Sequence, residues 1–500
     1  MEVFSLLFSG FAQALTFTNM VWLTIGSALG TVLGMLPGIG PSTGIALLIP
    51  LTFTMSPDTA LVTMCAIYYG AMFGGSRSSI LINVPGDGAS VASCFDGYPM
   101  ATQGRAEAAL AISAIASFIG GMISTVAFVA IAVPVARFAL KFGPPEYFML
   151  MCFALAATAA ISKEAMLKGL LSMCLGLMIA TVGIDPQSGA IRFTFGLTAL
   201  QTGIDVVVVI IGVYGLGEVF QNMETIKSEV AIKIQSKFGR IWVTMDEFKR
   251  CLPAILRETP IGFFVGVLPG AGGTIAALMA YNNEKQWSKE PEKFGKGEII
   301  GLAAPEAANN ACSVGALIPM MTLGVPGSGT TAVMLGALMI LGMQPGPLLF
   351  EQHADVAWTV IASMFIGNVV CAIINLPLAS LLVRILAVPT KILYPAIVAV
   401  AFIGAYTINF SVVDFVVLVV LGLFGYFMKK YKVPTSPMIL AVVVGASMEQ
   451  SYRQSMMLAD NDPSIFFRGG ICWVLFFLTI FSIAWPFISD WRKKRKAAAA

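Results

Sequence analysis

The first half of the sequence contains Leu36-Pro37-Gly38-Ile39-Gly40-Pro41-Ser42-Thr43, and the second half repeats the pattern as Leu268-Pro269-Gly270-Ala271-Gly272-Gly273-Thr274. Each copy interrupts a long apolar stretch. Pro and Gly break a helix and leave backbone N–H and C=O groups unpaired, which lipid cannot satisfy but a bound ion or substrate can. A matched pair of such interruptions in two halves of a membrane protein predicts a central binding site.

Composition sets the class of protein. Hydrophobic residues make up 57% of the 500 residues and charged residues 11%, whereas about a quarter of the residues in soluble domains are charged. Four uncharged stretches are each long enough for a membrane span of about 20 residues, namely 259–283, 356–383, 392–413 and 469–489. We therefore expect an all-α polytopic membrane protein with about ten to twelve transmembrane helices, some of them re-entrant or broken.

A second pair of Gly/Pro motifs extends the repeat. Residues 84–90 read Val-Pro-Gly-Asp-Gly-Ala-Ser, and residues 325–331 read Val-Pro-Gly-Ser-Gly-Thr-Thr. The first motif pair is separated by 232 positions and the second by 241, so we expect two homologous halves. The first transmembrane repeat would cover residues 1–220 and the second residues 259–489. An amphipathic and basic linker, 221–258, would join them, and a basic tail, 490–500, would follow the second repeat.

We expect the two repeats to be inverted, as in many secondary transporters. Inverted repeats have an odd number of crossings in each half, which places the linker and the C-terminus on opposite sides of the membrane. Both segments are rich in Lys and Arg, and the positive-inside rule assigns such segments to the cytoplasm. Parallel repeats therefore stay an alternative. The basic cluster at 492–496, directly after a span, predicts a cytoplasmic C-terminus.

The four Gly/Pro breaks are each followed by Ser or Thr and then by an apolar run, which predicts four half-helix N-termini. Such an end carries about +0.5 of a charge and binds anions through its free N–H groups, so a carboxylate is the natural ligand. A kink or a close-packing site is the alternative for any single break, but four in symmetric pairs favour binding. The candidate substrate-binding residues at the breaks are Gly38, Gly40, Ser42, Thr43, Gly86, Gly270, Gly272, Thr274, Gly327, Ser328 and Thr330.

Polar residues at membrane depth form a second set of candidates. An ionisable side chain there costs about 2.5 to 3.5 kcal/mol, so Arg77 and Glu306 need a partner or a role. Arg77, with Ser78 beside it, could bind a substrate carboxylate. A coupling cation could bind the hard oxygen ligands of Asn83, Glu306, Asn309 and Asn310. The alternative is that Arg77 and Glu306 simply pair with each other.

Metal and cofactor sites are not expected. The eight cysteines are scattered without a Cys-x-x-Cys motif, and the sequence has a single histidine. No nucleotide-binding Gly-x-x-x-x-Gly-Lys-Ser/Thr motif occurs either. The coupling ion, Na⁺ or H⁺, is therefore the sole inorganic species that we expect the protein to use.

Several motifs in the same order resemble the large membrane subunit of the tripartite tricarboxylate transporters. They lie at residues 36–41, 68–76, 183–185, 192–196, 305–311 and 324–328. The resemblance implies a bacterial inner-membrane complex with a small four-helix membrane subunit and a periplasmic solute-binding protein. It also implies cation-driven uptake of citrate or a related carboxylate, with neither ATP hydrolysis nor nucleic-acid binding. Symport by alternating access is the mechanism that we expect.

Two other classes of function stay open at this point. A passive anion channel could also use broken helices to line its pore. An intramembrane enzyme is suggested by Gly86-Asp87, which resembles a fragment of an aspartyl protease signature, but the equivalent position of the second half holds Ser328. We therefore expect a transporter without catalytic residues.

Overall fold

The computed structural model describes residues 2–36, 39–160, 166–185, 187–225, 242–376 and 390–498. In the first half the helices are α1 (Glu2–Ala14), α2 (Phe17–Met35), α3 (Pro41–Thr52), α4 (Pro57–Ile82), α5 (Val91–Thr102), α6 (Ala106–Ala139), α7 (Pro144–Ala160), α8 (Met166–Ala180), α9 (Val206–Ile210) and α10 (Gly217–Thr225). A 3-10 turn, Gly88–Ser90, leads into α5, and a π-helical stretch, Ile211–Leu216, joins α9 to α10. Strands β1 (Gly183–Ile184) and β2 (Ile191–Arg192) pair as an antiparallel hairpin.

In the second half the described residues form helices joined by turns and short 3-10 segments. Its helices are α11 (Met245–Val267), α12 (Gly272–Trp287), α13 (Ile299–Gly315), α14 (Leu317–Leu323), α15 (Gly329–Ile340), α16 (Pro347–Gln352), α17 (Ala354–Asn375), α18 (Thr390–Asn409), α19 (Val413–Lys430), α20 (Ser436–Leu458) and α21 (Gly470–Ala498). The predicted linker 221–258 overlaps the end of α10 and the start of α11, and residues 226–241 lie outside the described part. The domain boundaries and the repeat orientation stay predictions.

Long and short apolar helices alternate along the chain. Among the described residues, four helical segments are long and apolar enough to cross a membrane, namely Phe17–Met35, Ala106–Ala139, Val206–Glu224 and Ala354–Asn375. Several shorter apolar helices accompany them, including α3 and α15, which directly follow Gly/Pro breaks. The prediction of an all-α polytopic membrane protein with broken helices is confirmed.

Residues at the breaks have the backbone conformations that the sequence predicts. Pro41 occupies the first turn of α3, where its missing N–H is no loss. Gly270 and Gly272 have φ values of 82° and 66°, in the left-handed region that glycine enters without strain. Asn83 and Gly324 end α4 and α14 in the same region, at φ 57° and 69°. Helix ends of matching geometry therefore precede the second break of each half.

The two halves pack their helices in the same way. A Cβ added to Gly34 of α2 would lie 2.3 Å from the carbonyl oxygen of Ala71 on α4. A Cβ added to Gly266 of α11 would lie 2.2 Å from the carbonyl oxygen of Cys312 on α13. Small residues permit this close approach of helix backbones. The two glycines are 232 positions apart, like the first pair of Gly/Pro motifs, and their partners Ala71 and Cys312 are 241 positions apart, like the second pair.

One long helix of each half, α6 or α17, packs on the other half. Helix α6 contacts α13, where a Cβ at Gly120 would lie 2.4 Å from the carbonyl oxygen of Ala307. Helix α17 contacts α4, where Gly367 faces the ring of Tyr69. The halves are therefore interlocked.

Candidate functional site

The helix starts created by the four breaks converge on one cavity of about 540 Å³. A cavity of this size is typical of small-molecule sites, which measure roughly 300 to 1,000 Å³. The lining residues from the breaks are Gly40, Pro41, Ser42, Asp87, Gly88, Ala89, Gly270, Ala271, Gly272, Gly273, Thr274, Ile275, Pro326, Ser328, Gly329 and Thr330. Both halves therefore contribute to one central site.

Helices α3 and α12 begin at the cavity without a side-chain cap. Their N-cap residues are Gly40 and Ala271, and neither position has a side-chain hydrogen bond to the first turn. The first N–H groups of a helix have no partner within the helix, so a ligand can accept hydrogen bonds from them. These two ends are suited to an anion.

The other two helix starts are capped identically by different side chains. Asp87 accepts a hydrogen bond from the Ser90 N–H at 3.1 Å, and Ser328 accepts one from the Thr331 N–H at 3.2 Å. In return, the hydroxyl oxygens of Ser90 and Thr331 accept hydrogen bonds from the backbone N–H groups of Asp87 and Ser328. Both ends are capping boxes. One half uses a carboxylate and the other a hydroxyl.

Hydroxyl groups join the two halves across the cavity wall. The Ser42 and Thr330 hydroxyl oxygens lie 3.0 Å apart, within hydrogen-bond distance. The Tyr68 hydroxyl approaches the Ser328 hydroxyl at 3.4 Å. These groups can exchange their mutual hydrogen bonds for hydrogen bonds to a ligand.

Sequence reasoning missed four hydroxyl residues of the lining, namely Tyr68, Thr158, Tyr214 and Ser436. Tyr214 lies in the π-helical stretch and donates to the Ser436 hydroxyl at 3.3 Å. The π-helical stretch is a local signal of function in a structure, but it leaves no mark in the sequence. Tyr68 could have been found from sequence, because it begins the motif at residues 68–76 that contributes to the family resemblance.

Asp87 is the sole charged side chain among the described residues that line the cavity. The positive potential of this wall therefore comes from helix ends, each equivalent to about half a charge. Asp87 was considered in the sequence only as part of an enzyme signature.

Arg77 does not line the cavity. It is buried on α4, where its Nη1 donates to the Leu110 carbonyl at 2.6 Å and its Nε donates to Asn375 Oδ1 at 3.1 Å. Ser78 is also buried and donates to the Gly75 carbonyl. The Arg77 side chain thus ties α4 to α6 and α17.

Glu306 lies in a buried cluster of hydroxyl groups. Its carboxylate accepts hydrogen bonds from Ser76 at 2.7 Å, from Ser117 at 3.0 Å and from Ser93. Among the described residues no direct ion pair joins Glu306 to Arg77, whose guanidinium bonds to Asn375 and Leu110 instead. The serine contacts connect α13 to α4, α5 and α6, so the cluster joins the two halves away from the cavity.

The asparagines that follow Glu306 lie close behind the cavity wall. Asn310 Nδ2 donates to Asn309 Oδ1 at 2.6 Å and to the Glu306 carbonyl at 3.0 Å. The Asn309 Cβ lies 3.9 Å from the position of a Cβ added to Gly273, which lines the cavity. Neither asparagine belongs to the lining.

The structure brings seven of the predicted substrate-binding residues together at the cavity, namely Gly40, Ser42, Gly270, Gly272, Thr274, Ser328 and Thr330. Thr43 points elsewhere and donates to the Tyr214 carbonyl at 3.3 Å. Gly86 and Gly327 pack against the backbones of α2 and α11, and Asn83 ends α4. Gly38 lies outside the described residues.

In the described part of the chain, no group of three or more His, Cys, Asp or Glu side chains is placed to hold a metal ion. The cavity offers instead peptide N–H groups, hydroxyls and one carboxylate. This set of groups can bind a small anion and, at the carboxylate, a small cation.

A family model described as the tripartite tricarboxylate transporter TctA family matches residues 20–440. The uncharacterized 52.8 kDa protein in the TAR-I ttuC' 3' region of Agrobacterium vitis is 40% identical over 496 residues, which cover 99% of this chain and 98% of the relative. A second protein of the same organism, in the TAR-II ttuC' 3' region, is 37% identical over 234 residues, or 47% of this chain and 97% of its own length. No solved structure matches.

Proposed function

Since the chain belongs to the tripartite tricarboxylate transporter TctA family, we propose that it is the large permease subunit of a secondary transporter importing tricarboxylates or related carboxylates. Uptake is driven by symport with Na⁺ or H⁺. The observation that carries this proposal is the meeting of four helix N-termini at one cavity between the halves.

The chemistry of the cavity fits a carboxylate. The uncapped ends of α3 and α12 supply N–H donors, and Ser42, Tyr68 and Thr330 supply hydroxyls. Helix ends stabilise negative charge without placing a full cation in the membrane. Donors of this kind suit a substrate that must leave again after it has bound.

Membrane voltage explains the need for a coupling cation. A trivalent anion entering against an inside-negative potential of 100 mV is opposed by about 7 kcal/mol. At least as many cations as substrate charges must accompany it if the voltage is not to oppose uptake. Symport supplies those charges without ATP.

The contacts between the halves support alternating access. The pairs Ser42–Thr330 and Tyr68–Ser328 connect the halves at the cavity through neutral hydroxyl contacts. Neutral hydrogen bonds contribute only about 0.5 to 1.5 kcal/mol each, so they can break and form again in a transport cycle. The glycine-mediated packing of α2 on α4 and of α11 on α13 keeps these helix pairs intact while the contacts change, and the Glu306 cluster joins the halves away from the cavity.

The partners follow from the same proposal. The chain is a multi-pass membrane protein, and we expect it in the bacterial inner membrane with its C-terminus in the cytoplasm. It works with a small four-helix membrane subunit and a periplasmic solute-binding protein that delivers the substrate. An aspartyl protease needs two carboxylates, whereas the described lining contains one, so an enzyme is disfavoured.

The test is citrate uptake into proteoliposomes that contain this chain, its small membrane subunit and the binding protein. We expect saturable accumulation when a Na⁺ or a proton gradient is imposed, and loss of accumulation when an ionophore collapses that gradient. Accumulation with neither gradient contradicts symport. Flux that does not saturate with citrate concentration indicates a channel instead.

A further inference from the structure

The carboxylate of Asp87 is not required for the structural role that it performs. It caps the 3-10 turn before α5, and Ser328 caps α15 in the other half with the same pair of hydrogen bonds. A hydroxyl is therefore sufficient to start a helix at this position. The negative charge of Asp87 needs a separate explanation.

In the described part of the cavity, Asp87 has no cationic side chain as a partner. No Lys, Arg or His is among the described residues that line the cavity, so no side chain neutralises the carboxylate there. The helix ends offset this charge while the cavity is empty, but a bound tricarboxylate takes up the same positive potential. The same charge also repels the anion that the helix ends attract.

Charge balance in the occupied cavity gives the sign of the missing partner. Four helix ends contribute about +2 in total, while Asp87 contributes one negative charge and a tricarboxylate three. The occupied cavity therefore carries an excess of about two negative charges. One or more cations must enter with the substrate.

We propose that Asp87 is the binding residue for a coupling cation, held between its carboxylate and the carboxylate of the bound substrate. This inference rests on the proposed function and names the residue that links cation to anion. The cation neutralises both carboxylates, so each ligand increases the affinity of the cavity for the other. Such reciprocity is the thermodynamic requirement for coupling.

Oxygen groups around Asp87 suit this role. A Cβ added to its neighbour Gly88 would lie 2.4 Å from the Thr274 hydroxyl oxygen, which therefore lies beside the Asp87 turn. Gly40, at the start of α3, lies on another side of Asp87, and a Cβ added to it would be 3.4 Å from the Asp87 Cβ. A carboxylate and a hydroxyl are hard ligands for Na⁺, and the carboxylate alone can carry a proton.

An independent observation comes from the adjoining wall. Asn309 is buried behind Gly273, and its Nδ2 has no hydrogen-bond partner among the described residues. Gly273 in turn contacts Ala89, two residues from Asp87. An unpaired buried donor behind the cavity wall can bond to an acceptor such as a substrate carboxylate, and it marks this part of the wall as polar beyond what the fold itself uses.

The test compares wild type with Asp87→Ser. This variant removes the charge but keeps a hydroxyl cap, as Ser328 provides in the other half. The full-length chain, purified in nanodiscs, is titrated with citrate while its thermal unfolding is followed. The titrations are made in NaCl and in choline chloride at equal ionic strength, each at pH 6 and pH 8. The Na⁺ arm and the pH arm distinguish the two cations.

We expect wild type to bind citrate about tenfold or more tightly when Na⁺ replaces choline, or when the pH falls if the cation is a proton. Asp87→Ser should lose this dependence, changing by less than about twofold. Asp87→Asn, which retains an oxygen acceptor for the Ser90 N–H, should behave in the same way and guards against a folding defect. Asp205→Ser is the matched control, since it replaces a capping carboxylate at the start of α9, outside the cavity lining, and should keep the cation dependence.

The outcomes separate the two proposals. An Asp87→Ser variant that binds citrate with the cation dependence of wild type overturns the role of Asp87 and leaves the proposed function standing. A wild-type protein that binds no citrate under any of the four conditions contradicts the proposed function, and this inference with it.

Discussion

Gly121 of α6 lies against the side chain of Asn368 on α17, so closely that an added Cβ would be 2.1 Å from Asn368 Oδ1. The preceding glycine, Gly120, faces the backbone of α13 instead, with its added Cβ 2.4 Å from the Ala307 carbonyl oxygen. Two adjacent glycines thus allow α6 to pack closely against both α17 and α13 of the other half.

Because the two glycines face different neighbours, we expect substitution by alanine to lower the free energy of unfolding by different amounts. Gly120→Ala meets a backbone that cannot move, so we expect a loss of about 3 kcal/mol or more in the free energy of unfolding. Gly121→Ala meets a side chain that can change rotamer, so we expect about 1 kcal/mol. Thermal unfolding of the purified variants measures the difference. Equal destabilisation would show that Asn368 is held as rigidly as the backbone.

The hydroxyl pair Ser42–Thr330 predicts a change in substrate affinity. Ser42→Ala or Thr330→Val removes one donor from the cavity wall, which corresponds to about 1 kcal/mol or a roughly fivefold rise in the KM for uptake. Thr43→Val is the matched control, because Thr43 is the next residue in sequence but bonds to the Tyr214 carbonyl. Variants that lower the maximal rate and leave KM unchanged would place these hydroxyls outside the substrate site.

Arg77 and Glu306 predict a coupled effect on stability. Both side chains are buried, and the described contacts include no direct ion pair between them, so removing either one leaves buried hydrogen-bonding groups unpaired, at a cost of about 1 to 3 kcal/mol for each group. We expect Arg77→Met and Glu306→Gln each to destabilise the protein, and the double variant to be less destabilised than the sum of the two. A double-mutant cycle of unfolding free energies measures this coupling. A well-folded Arg77→Met protein with an increased KM would instead support the substrate-binding role inferred from sequence.

Asp185 predicts a defined pH dependence outside the membrane-spanning segments. The Ser188 hydroxyl, the Gln187 N–H and the Arg453 guanidinium hold the pKa of the Asp185 carboxyl below its ordinary range. A lowered pKa stabilises the folded state above the ordinary value of about 3.9, and that stabilisation is lost as the pH falls below it. Asp185→Asn should therefore lower the Tm by a constant amount between about pH 5 and 8, and by less below about pH 4. A Tm difference that varies between pH 5 and 8 would contradict this assignment.

The positions of the helix breaks could be predicted from sequence because backbone chemistry determines them. Pro41 and the glycines at 270 and 272 act through φ and the missing N–H, and these properties depend little on tertiary context. The repeat then places equivalent breaks together. The convergence of α3, α12 and α15 on one cavity followed from residues that the sequence already marked.

The roles of Arg77 and Glu306 could not be predicted in the same way. Helices α4 and α13 are buried on nearly all sides, so hydrophobic periodicity does not reveal which face meets the cavity. Tyr68 faces the cavity, whereas Arg77, on the same helix, binds the Leu110 carbonyl. A polar residue in such a helix is recognisable as important, but its partner depends on helix rotation.

No usable signal in the sequence indicates that Thr158 of α7 lines the cavity. Thr158 lines the cavity, yet its hydroxyl also donates to the Ala154 carbonyl of its own helix, as buried threonines in membrane helices commonly do. Its sequence context is the same as that of a threonine with no ligand. Tertiary contacts alone distinguish the two.

The crossed placement of α6 and α17 has an evolutionary consequence. Helix α6 of the first half covers α13 of the second, and α17 of the second half covers α4 of the first. In a chain containing one half alone, neither α4 nor α13 would therefore be enclosed. If the two halves arose by duplication and fusion, an ancestor of half this length would have had to pair with a second copy of itself to bury the same surfaces. A change in the length of α6 would now disturb α13 of the other half, so the sequence of each half constrains the sequence of the other.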